Sequence, residues 1–363
     1  MTAPTVIDLF AGCGGVTVGF RDAGFEPVKA VEWNLHAAST YAANFGEDHM
    51  FWGDIADFRD DIPHADVVVG GPPCQGFSSL GARDPEDPRN RLWREYVRVV
   101  AAAEPQIFVI ENVERFRNSA EFGLLQDEVA DGDLKHYLLE PAVLLAADYG
   151  VPQRRPRTII VGSRVGKPRL PDASHGDDDL FHPQWLDVRS AIGEVPWWPE
   201  TTELPVATEQ FFGETVPGVF KGLDIHIGRN PWPESIQRYD HVPPGGGRFN
   251  LPEHLQFDCW RKKPTGTTDV MGRMRWDRPS LTIRTEFFKP EKGQYLHPQW
   301  DEHDETLKVN RPITHLEAAL LQTFPEDYLW CGSKIEIARQ IGNAVPCRLA
   351  YKIALSVRDQ LEG

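Results

Sequence analysis

Thr5-Val6-Ile7-Asp8-Leu9-Phe10-Ala11-Gly12-Cys13-Gly14-Gly15 decides the fold class of this 363-residue chain. An apolar, β-branched run that ends in a glycine-rich turn predicts a buried strand feeding a helix N-terminus. Val16, Phe20 and Ala23 continue it as an amphipathic helix that stops at Gly24. Strand, glycine turn and helix form the opening unit of a doubly wound, Rossmann-like α/β sheet, in which ligands collect at the strand carboxyl ends. The glycines let a ligand approach the main chain, and the helix N-terminus offers free N–H groups. The spacing is not G-x-G-x-x-G and no P-loop lysine follows, which speaks against a dinucleotide or a triphosphate.

The next strand tips add to this edge. Pro27 to Val31 ends in Glu32-Trp33, about twenty residues past the glycine turn, where a carboxylate suits the hydroxyls of a ribose. Trp33 can lie against an adenine ring; the plain alternative is a surface glutamate beside a core tryptophan. A third unit ends in Gly53-Asp54-Ile55, and Asp54 can accept from an adenine amino group. Three tips supply glycines, a ribose acceptor and a base acceptor, so the ligand contains adenosine without phosphates to neutralise.

A fourth strand, Asp66 to Val69, runs into Gly70-Gly71-Pro72-Pro73-Cys74-Gln75-Gly76-Phe77-Ser78. Two glycines and two prolines stop the strand and stiffen the turn, delivering Cys74 at the ligand edge. Alone, such a cysteine is as readily a packing residue as a nucleophile. Ser78 to Arg91 is a polar loop long enough to serve as a lid, followed by a helix through Leu92, Tyr96, Val99 and Val100. The fifth strand, Gln106 to Ile110, ends in Glu111-Asn112-Val113, which brings a carboxylate beside the cysteine. Val143 to Ala147 and Thr158 to Val161 read as further strands, with Gln153-Arg154-Arg155-Pro156-Arg157 between them.

Hydrophobic residues make up 41% and charged residues 25% of the chain, ordinary for a globular protein. No apolar run approaches a bilayer span, and the N-terminus has no signal-peptide layout, so a cytoplasmic protein without membrane contact is expected. Cys13, Cys74, Cys259, Cys331 and Cys347 are scattered with no C-x-x-C pair, which suggests neither zinc nor disulfides. The net charge of −16 argues against a nucleic-acid partner until its distribution is considered. Arg154, Arg155, Arg157, Arg164, Lys167 and Arg169 lie in a stretch without acids, and further basic sets follow Cys74 and occupy 261–284. Acid is concentrated in Asp177-Asp178-Asp179 and in Asp301 to Glu305, which read as solvated loops rather than a metal site.

Asp8 to Gly15, the Pro72-Pro73-Cys74-Gln75 stretch, Glu111-Asn112-Val113 and Gln153-Arg154-Arg155-x-Arg157 together resemble successive motifs of the C5-cytosine DNA methyltransferases. Arg278-Pro279-Ser280-x-Thr282 and Gln340 to Pro346 complete the set in the family's order. Each motif is modest; six in order are specific. The resemblance implies a prokaryotic enzyme with a single recognition region, S-adenosyl-L-methionine as cofactor and no metal. It implies Cys74, Glu111, Arg155 and Arg157 as catalytic residues. Around the cofactor it places Phe10, Ala11, Gly12, Gly14, Glu32, Trp33, Asp54, Ile55 and Pro73, with Asn343, Ala344 and Val345 closing the pocket. The expected chemistry is attack of the Cys74 thiolate on C6 of a flipped-out cytosine and methylation at C5.

Residues between about 170 and 270 have another texture, with Pro196-Trp197-Trp198-Pro199, Pro231-Trp232-Pro233 and Pro243-Pro244-Gly245-Gly246-Gly247. They read as a loop-rich β subdomain, entered through a linker at Asp187 to Ile192, and by family analogy as the target-recognition region. Gly245 to Arg248 offers main-chain N–H groups for a phosphate, or is an ordinary loop. The domains expected are 1–170 catalytic and cofactor-binding, 171–330 target-recognising, and 331–363 returning to the first. No regulatory domain is seen at either end, in keeping with a compact bacterial, archaeal or phage enzyme that acts as a monomer on double-stranded DNA, within a restriction-modification or defence system whose cognate nuclease is a further partner. The alternatives are a tRNA cytosine-5 methyltransferase, a non-catalytic DNA-binding regulator on the same scaffold and, less in keeping with the glycine spacing, an oxidoreductase.

Overall fold

The structure, a computed structural model, describes residues 2–73, 90–177, 181–262 and 265–363. Cys74 and nearly all of the Ser78–Arg91 loop lie outside the described residues. The chain divides into two units: Met1–Tyr149 with Pro156–Ala173 and Val345–Gly363, and Gly150–Arg155 with Ser174–Ala344.

The first unit is built on a seven-stranded sheet: β1 (Thr5–Leu9), β2 (Glu26–Glu32), β3 (Met50–Trp52), β4 (Val67–Gly70), β5 (Ile107–Val113), β6 (Leu138–Leu145) and β7 (Pro156–Ser163). Their order is β3-β2-β1-β4-β5-β7-β6. The first five pair in parallel, and β7 runs antiparallel to both β5 and β6. Strand order reverses between β1 and β4, the switch point at which open α/β sheets bind ligands. Register aligns Leu9 with both Val31 and Gly70, and Gly70 with Ile110, so the loops after β1, β2, β4 and β5 leave from one edge. Ile7, Leu9, Val68, Phe108 and Ile110 are fully buried, as strands covered on both faces require. Gly70 is needed where it stands: a Cβ there would come within 2.7 Å of the Leu9 carbonyl oxygen.

Several strand bounds differ from the sequence reading, those of β6 and β5 among them. β6 starts at Leu138 and ends at Leu145, and Ala146–Tyr149 is a turn of 3-10 helix. As the edge strand it leaves Leu138 exposed, which blurs the alternation that marks a strand. β5 continues to Val113, because Glu111, Asn112 and Val113 pair with Ile159, Thr158 and Arg157 of β7.

Four helices of this unit are α1 (Gly15–Asp22), α2 (Leu35–Phe45), α3 (Asn90–Ala103) and α4 (Ala120–Asp131). α1 lies against the C-terminal helix Cys347–Glu362, which buries Leu349, Ala350, Ile353, Ala354 and Val357. Gly19 makes this approach feasible, since a Cβ on it would sit 2.4 Å from the Tyr351 nitrogen. Arg358 Nη1 donates to the Ala23 carbonyl at 2.9 Å and ties the two helix ends.

The second unit has little regular structure: a hairpin of Thr208–Phe211 with Glu214–Pro217, and parallel ladders of two or three residues. The expected linker at Asp187–Ile192 is a short helix, Val188–Ile192, capped by Asp187. Pro233–Asp240 is also helical, with Pro233 in its first turn. Buried polar groups replace a sheet core. The Arg273 guanidinium, wholly buried, donates to the Val242, His297, Val309 and Tyr239 carbonyls. Glu317, also fully buried, receives both arms of Arg311 at 2.8 and 2.7 Å and closes a capping box with Thr314 at the start of helix His315–Leu321. The phosphate reading of Gly245–Arg248 fails on geometry, because all four N–H groups are already engaged. They donate to the Arg273 and Pro243 carbonyls, Asn250 Oδ1 and the Val270 carbonyl.

Candidate active site

The glycine turn after β1 is held by a buried carboxylate. Glu32 Oε2 accepts from Gly12 N–H at 2.9 Å and its Oε1 from Asn34 N–H at 2.8 Å. Burial raises the Glu32 carboxyl above its usual range, with these N–H donors pulling the other way. Phe10 (φ 58°), Gly12 (φ 55°) and Gly14 (φ 91°) all adopt left-handed conformations, which fold the turn back on itself. Ala11 N–H donates to the Val31 carbonyl and Gly14 N–H to the Ala11 carbonyl. Nothing stands within 4 Å of the position a Gly12 Cβ would take. Beneath the turn, Asp8 Oδ2 accepts from the Thr17 hydroxyl at 2.6 Å. Burial pushes the Asp8 carboxyl up to about 7, against the pull of that hydrogen bond and helped by the nearby Glu32 charge.

At the same edge Trp33 presents an exposed ring, 75% accessible, and its carbonyl accepts from Trp52 Nε1 at 3.2 Å. Asp54 Oδ1 accepts from Ala56 N–H at 2.9 Å, which fixes the carboxylate. The Ile55 side chain packs into the sheet core with Ile7 and Leu9, and its carbonyl accepts from Arg98 Nη2 at 2.9 Å and from Phe58 N–H at 3.2 Å. Open space over glycine, an exposed indole and buried carboxylates without a phosphate-binding lysine fit a hydroxyl-bearing, aromatic and cationic ligand such as S-adenosyl-L-methionine. Pro73 is exposed and Val345 buried in the first unit. Asn343 and Ala344 end the last helix of the second, where Gln322 Nε2 donates to the Ile341 carbonyl at 2.7 Å.

Further along the edge, Glu111 Oε1 meets Arg157 Nε at 2.8 Å, with both side chains largely shielded. The pair follows from register: Glu111 opposes Ile159, and Arg157 lies two residues along β7 on the same face. Glu111 also lies along the exit of β4, since a Cβ on Gly71 would be 3.1 Å from Glu111 Oε2. Next to it, Asn112 Nδ2 donates to the Pro72 carbonyl at 2.9 Å, and Asn112 Oδ1 accepts from Val113 N–H. Glu111 and Arg157 are thus brought together beside Gly71, which precedes Cys74 by three residues in the chain.

Arg155 is placed elsewhere. Its guanidinium is buried in the second unit and donates to the Ile283 and Gly342 carbonyls at 2.8 and 2.9 Å. The neighbouring Gln153 is buried with it, bonded to the Leu321 carbonyl, Gln322 Oε1 and Ile283 N–H. The Gln153-Arg154-Arg155-x-Arg157 motif groups Arg155 with Arg157, and the sequence reading gives Asp8, Thr17 and Asn112 no role. Asp8 and Asn112 did carry a signal, as polar residues set in or beside apolar strand runs.

Among the described residues, Cys13, Cys259, Cys331 and Cys347 form no disulfide, and no group of three acidic, histidine or cysteine side chains could hold a metal ion. Burial pushes the Cys13 and Cys347 thiols up, away from nucleophilic use. No described helix is long and apolar enough to cross a membrane.

Comparison with known proteins places this geometry. Residues 4–358 match the family described as C-5 cytosine-specific DNA methylase. Among curated relatives, the Type II methyltransferase M1.HphI of Haemophilus parahaemolyticus is 33% identical over 97% of this chain and 86% of its own length. The Type II methyltransferase M.Eco47II of Escherichia coli is 32% identical over 99% of this chain and 79% of its own. Of solved structures, a prophage-encoded protein of E. coli described as a DNA modification methyltransferase superposes with a TM-score of 0.70 at 24% identity, covering 99% of this chain and all of its own. Spodoptera frugiperda DNMT2 superposes with a TM-score of 0.61 at 17% identity, covering 98% of this chain and all of its own. At these identities the two structures speak for the fold.

Proposed function

Because the chain belongs to the C-5 cytosine-specific DNA methylases and is a DNA (cytosine-5)-methyltransferase, we propose how its own residues divide the reaction. Cys74 is the nucleophile. Its thiolate adds to C6 of an extruded cytosine, forming a C–S bond and moving the ring's π pair toward C5. Glu111 meets N3 and the exocyclic amine and stabilises the charge that the attack pushes into the ring. Arg157, paired with Glu111 at 2.8 Å, holds that carboxylate, reaches the cytosine O2 and adds positive charge near the thiolate. Arg155 serves as a positioning residue in the second unit, through its bonds to the Ile283 and Gly342 carbonyls. Loss of the C5 proton then breaks the C6–S bond and returns the electron pair to Cys74.

S-Adenosyl-L-methionine, when bound, supplies an electrophilic methyl group to C5. The residues that hold it are Phe10, Ala11, Gly12 and Gly14 in the turn, Glu32 and Trp33 at the ribose and base, Asp54 and Ile55 at the adenine edge, and Pro73, Asn343, Ala344 and Val345. The relatives' Type II assignment supports a restriction-modification setting with a cognate nuclease. In that setting the enzyme acts in the cytoplasm as a monomer on double-stranded DNA, reading bases through the second unit.

The observation that carries this reading is the Glu111–Arg157 pair lying along Gly71 at the exit of β4. Bisulfite sequencing of DNA from cells expressing the protein tests it. One sequence context becomes protected in the wild type, and none in Cys74→Ala, which still binds duplex DNA. Labelled methyl groups passing to tRNA and not to duplex DNA would sink the proposal.

A further inference from the structure

Asp8 is the one charged residue of β1, and it is buried just ahead of the glycine turn. Its Oδ2 meets the Thr17 hydroxyl at 2.6 Å, and the Thr17 main chain supplies a second hydrogen bond. The Thr17 hydroxyl also meets the Tyr41 hydroxyl at 3.3 Å, and that hydroxyl meets His49 Nε2 at 3.2 Å. Thr17 and Tyr41 are buried as fully as Asp8, whereas His49 is half-buried and carries the chain toward water. Side chains from β1, α1, α2 and the loop before β3 thus form one unbroken hydrogen-bonded row. A hydroxyl donates and accepts at once, and an imidazole exchanges protons at both ring nitrogens. Such a row moves a proton from end to end by shifting each bond one place.

Among the described residues, the charged group that acts on Asp8 is another acid, Glu32 of β2. Cys13 of the turn, Tyr41 of α2 and Tyr96 of α3 lie within its field as well. The cation Arg21 acts on Tyr41, and Lys29 and Asp48 act on His49 at the far end. A carboxyl buried without a cation keeps its proton, and a cation brought near it drives that proton off. We propose that Asp8 is a proton-binding site coupled to the cofactor: a sulfonium ligand seated over the turn expels the Asp8 proton, which leaves through Thr17, Tyr41 and His49. This rests on the turn being the cofactor site. Protons balance along the row. Asp8 gives its proton to the Thr17 oxygen as Thr17 passes its own to Tyr41, Tyr41 passes one to His49 Nε2, and His49 loses one from Nδ1 to water. Methyl transfer leaves S-adenosyl-L-homocysteine, a thioether without the sulfonium charge, so Asp8 takes a proton back and the site tells cofactor from product by charge. By linkage, the state of Asp8 favours the cation as much as the cation favours the ionised Asp8.

Calorimetric titration of the full-length protein with S-adenosyl-L-methionine, in buffers of different ionisation enthalpy, counts the protons released. Asp8→Asn in the same buffers subtracts those that belong to the ligand or to other groups. Because Asp8 titrates at about 7, the expected difference is about half a proton at pH 7. Relative to Asp8→Asn, wild type should gain about fivefold in cofactor affinity from pH 6 to pH 7. With S-adenosyl-L-homocysteine both differences should vanish. Equal proton release by wild type and variant overturns the coupling. Tyr41→Phe tests the route, since it keeps the ring and removes both hydroxyl bonds. A pH indicator in stopped flow should show the same proton count arriving later than in wild type, and a release as prompt as the wild type's overturns the conduit. His49→Ala is read against the same outcomes if Tyr41→Phe does not fold. If Asp8→Asn does not accumulate as folded protein, infrared difference spectra of wild type carrying isotope-labelled aspartate take its place. Loss of a protonated-carboxyl band with cofactor and not with the thioether is expected; a band that responds equally to the two overturns the proposal. Absence of any cofactor binding would refute the underlying reading, whereas binding without the proton refutes the coupling alone.

Discussion

Glu317→Gln would reveal how far one buried charge pair holds the second unit. Glu317 is fully buried, accepts both arms of Arg311 and also the Thr314 N–H at 2.7 Å. Burial alone would raise its carboxyl, but the Arg311 charge and hydrogen bonds outweigh this and hold it at about 2, against a usual 4.5. A carboxyl lowered by that amount favours the folded state by about 3 kcal/mol once ionised. The contribution is present above the unfolded value and is lost as pH falls through the folded one, so it fades between about pH 4.5 and pH 2. His297, whose Nε2 lies 3.5 Å from Glu317, offers no substitute cation there, because burial lowers it to about 3. Glu317→Gln removes the pair and leaves Arg311 with an uncompensated charge, a loss of about 3–5 kcal/mol at neutral pH. Urea unfolding followed by tryptophan fluorescence from pH 7 to pH 3 measures it. The gap between wild type and variant is expected to be widest at pH 7 and to narrow toward pH 3. Equal stability at pH 7, or a gap that does not narrow with acid, would refute the reasoning.

Other consequences concern the first unit. Gly19→Ala places a Cβ 2.4 Å from the Tyr351 nitrogen, far inside an ordinary contact of about 3.5–4 Å. It is expected to cost about 1–3 kcal/mol although alanine favours a helix by about 1 kcal/mol; thermal denaturation decides, and a more stable variant contradicts the packing. Asp8, raised by burial to about 7, makes the free protein less stable as pH rises from the unfolded value near 3.8 through 7. Asp8→Asn removes this slope, so urea midpoints of variant and wild type should diverge toward pH 8 in the variant's favour. Glu111→Ala should lower kcat by about 10²–10⁴ with DNA binding retained in a gel shift. Adding Arg157→Ala to it should cost less than the two single losses combined, because the ion pair is already broken and only the arginine's own contact with the base remains to be lost; fully additive losses would show that the pair carries no coupling.

The opening unit was legible because Thr5–Leu9 is β-branched or apolar apart from Asp8 and is followed by glycines that only a tight turn explains. The strand tip that carries Glu111 was legible for the same reason, an apolar run ending in polar residues. The three arginines at 154, 155 and 157 were not, because their partners are far off in sequence. Arg154 lies over the Trp185 ring, Arg155 under the Ile283 and Gly342 carbonyls, and Arg157 against Glu111. The diversion of Gly150–Arg155 into the second unit rests on a two-residue ladder, Gln153–Arg154 with Ser280–Leu281. A ladder that short leaves no periodicity to read. Loop density in the second unit concealed Arg273, whose carbonyl partners are all far off in sequence, since a charged residue with only distant buried partners looks like a surface one.

The seating of α1 on the C-terminal helix also has a meaning in time. Arg358 and Ala23, which tie the two helices, are 335 residues apart. During synthesis the glycine turn and its helix come before the second unit, and the helix that packs on Gly19 follows only after most of that unit has been made. Closing so long a loop is slow, so the nascent first unit waits with an apolar face open to chaperones. A message cut short before codon 347 would leave that face uncovered for good, and quality control would have a simple mark by which to find the fragment.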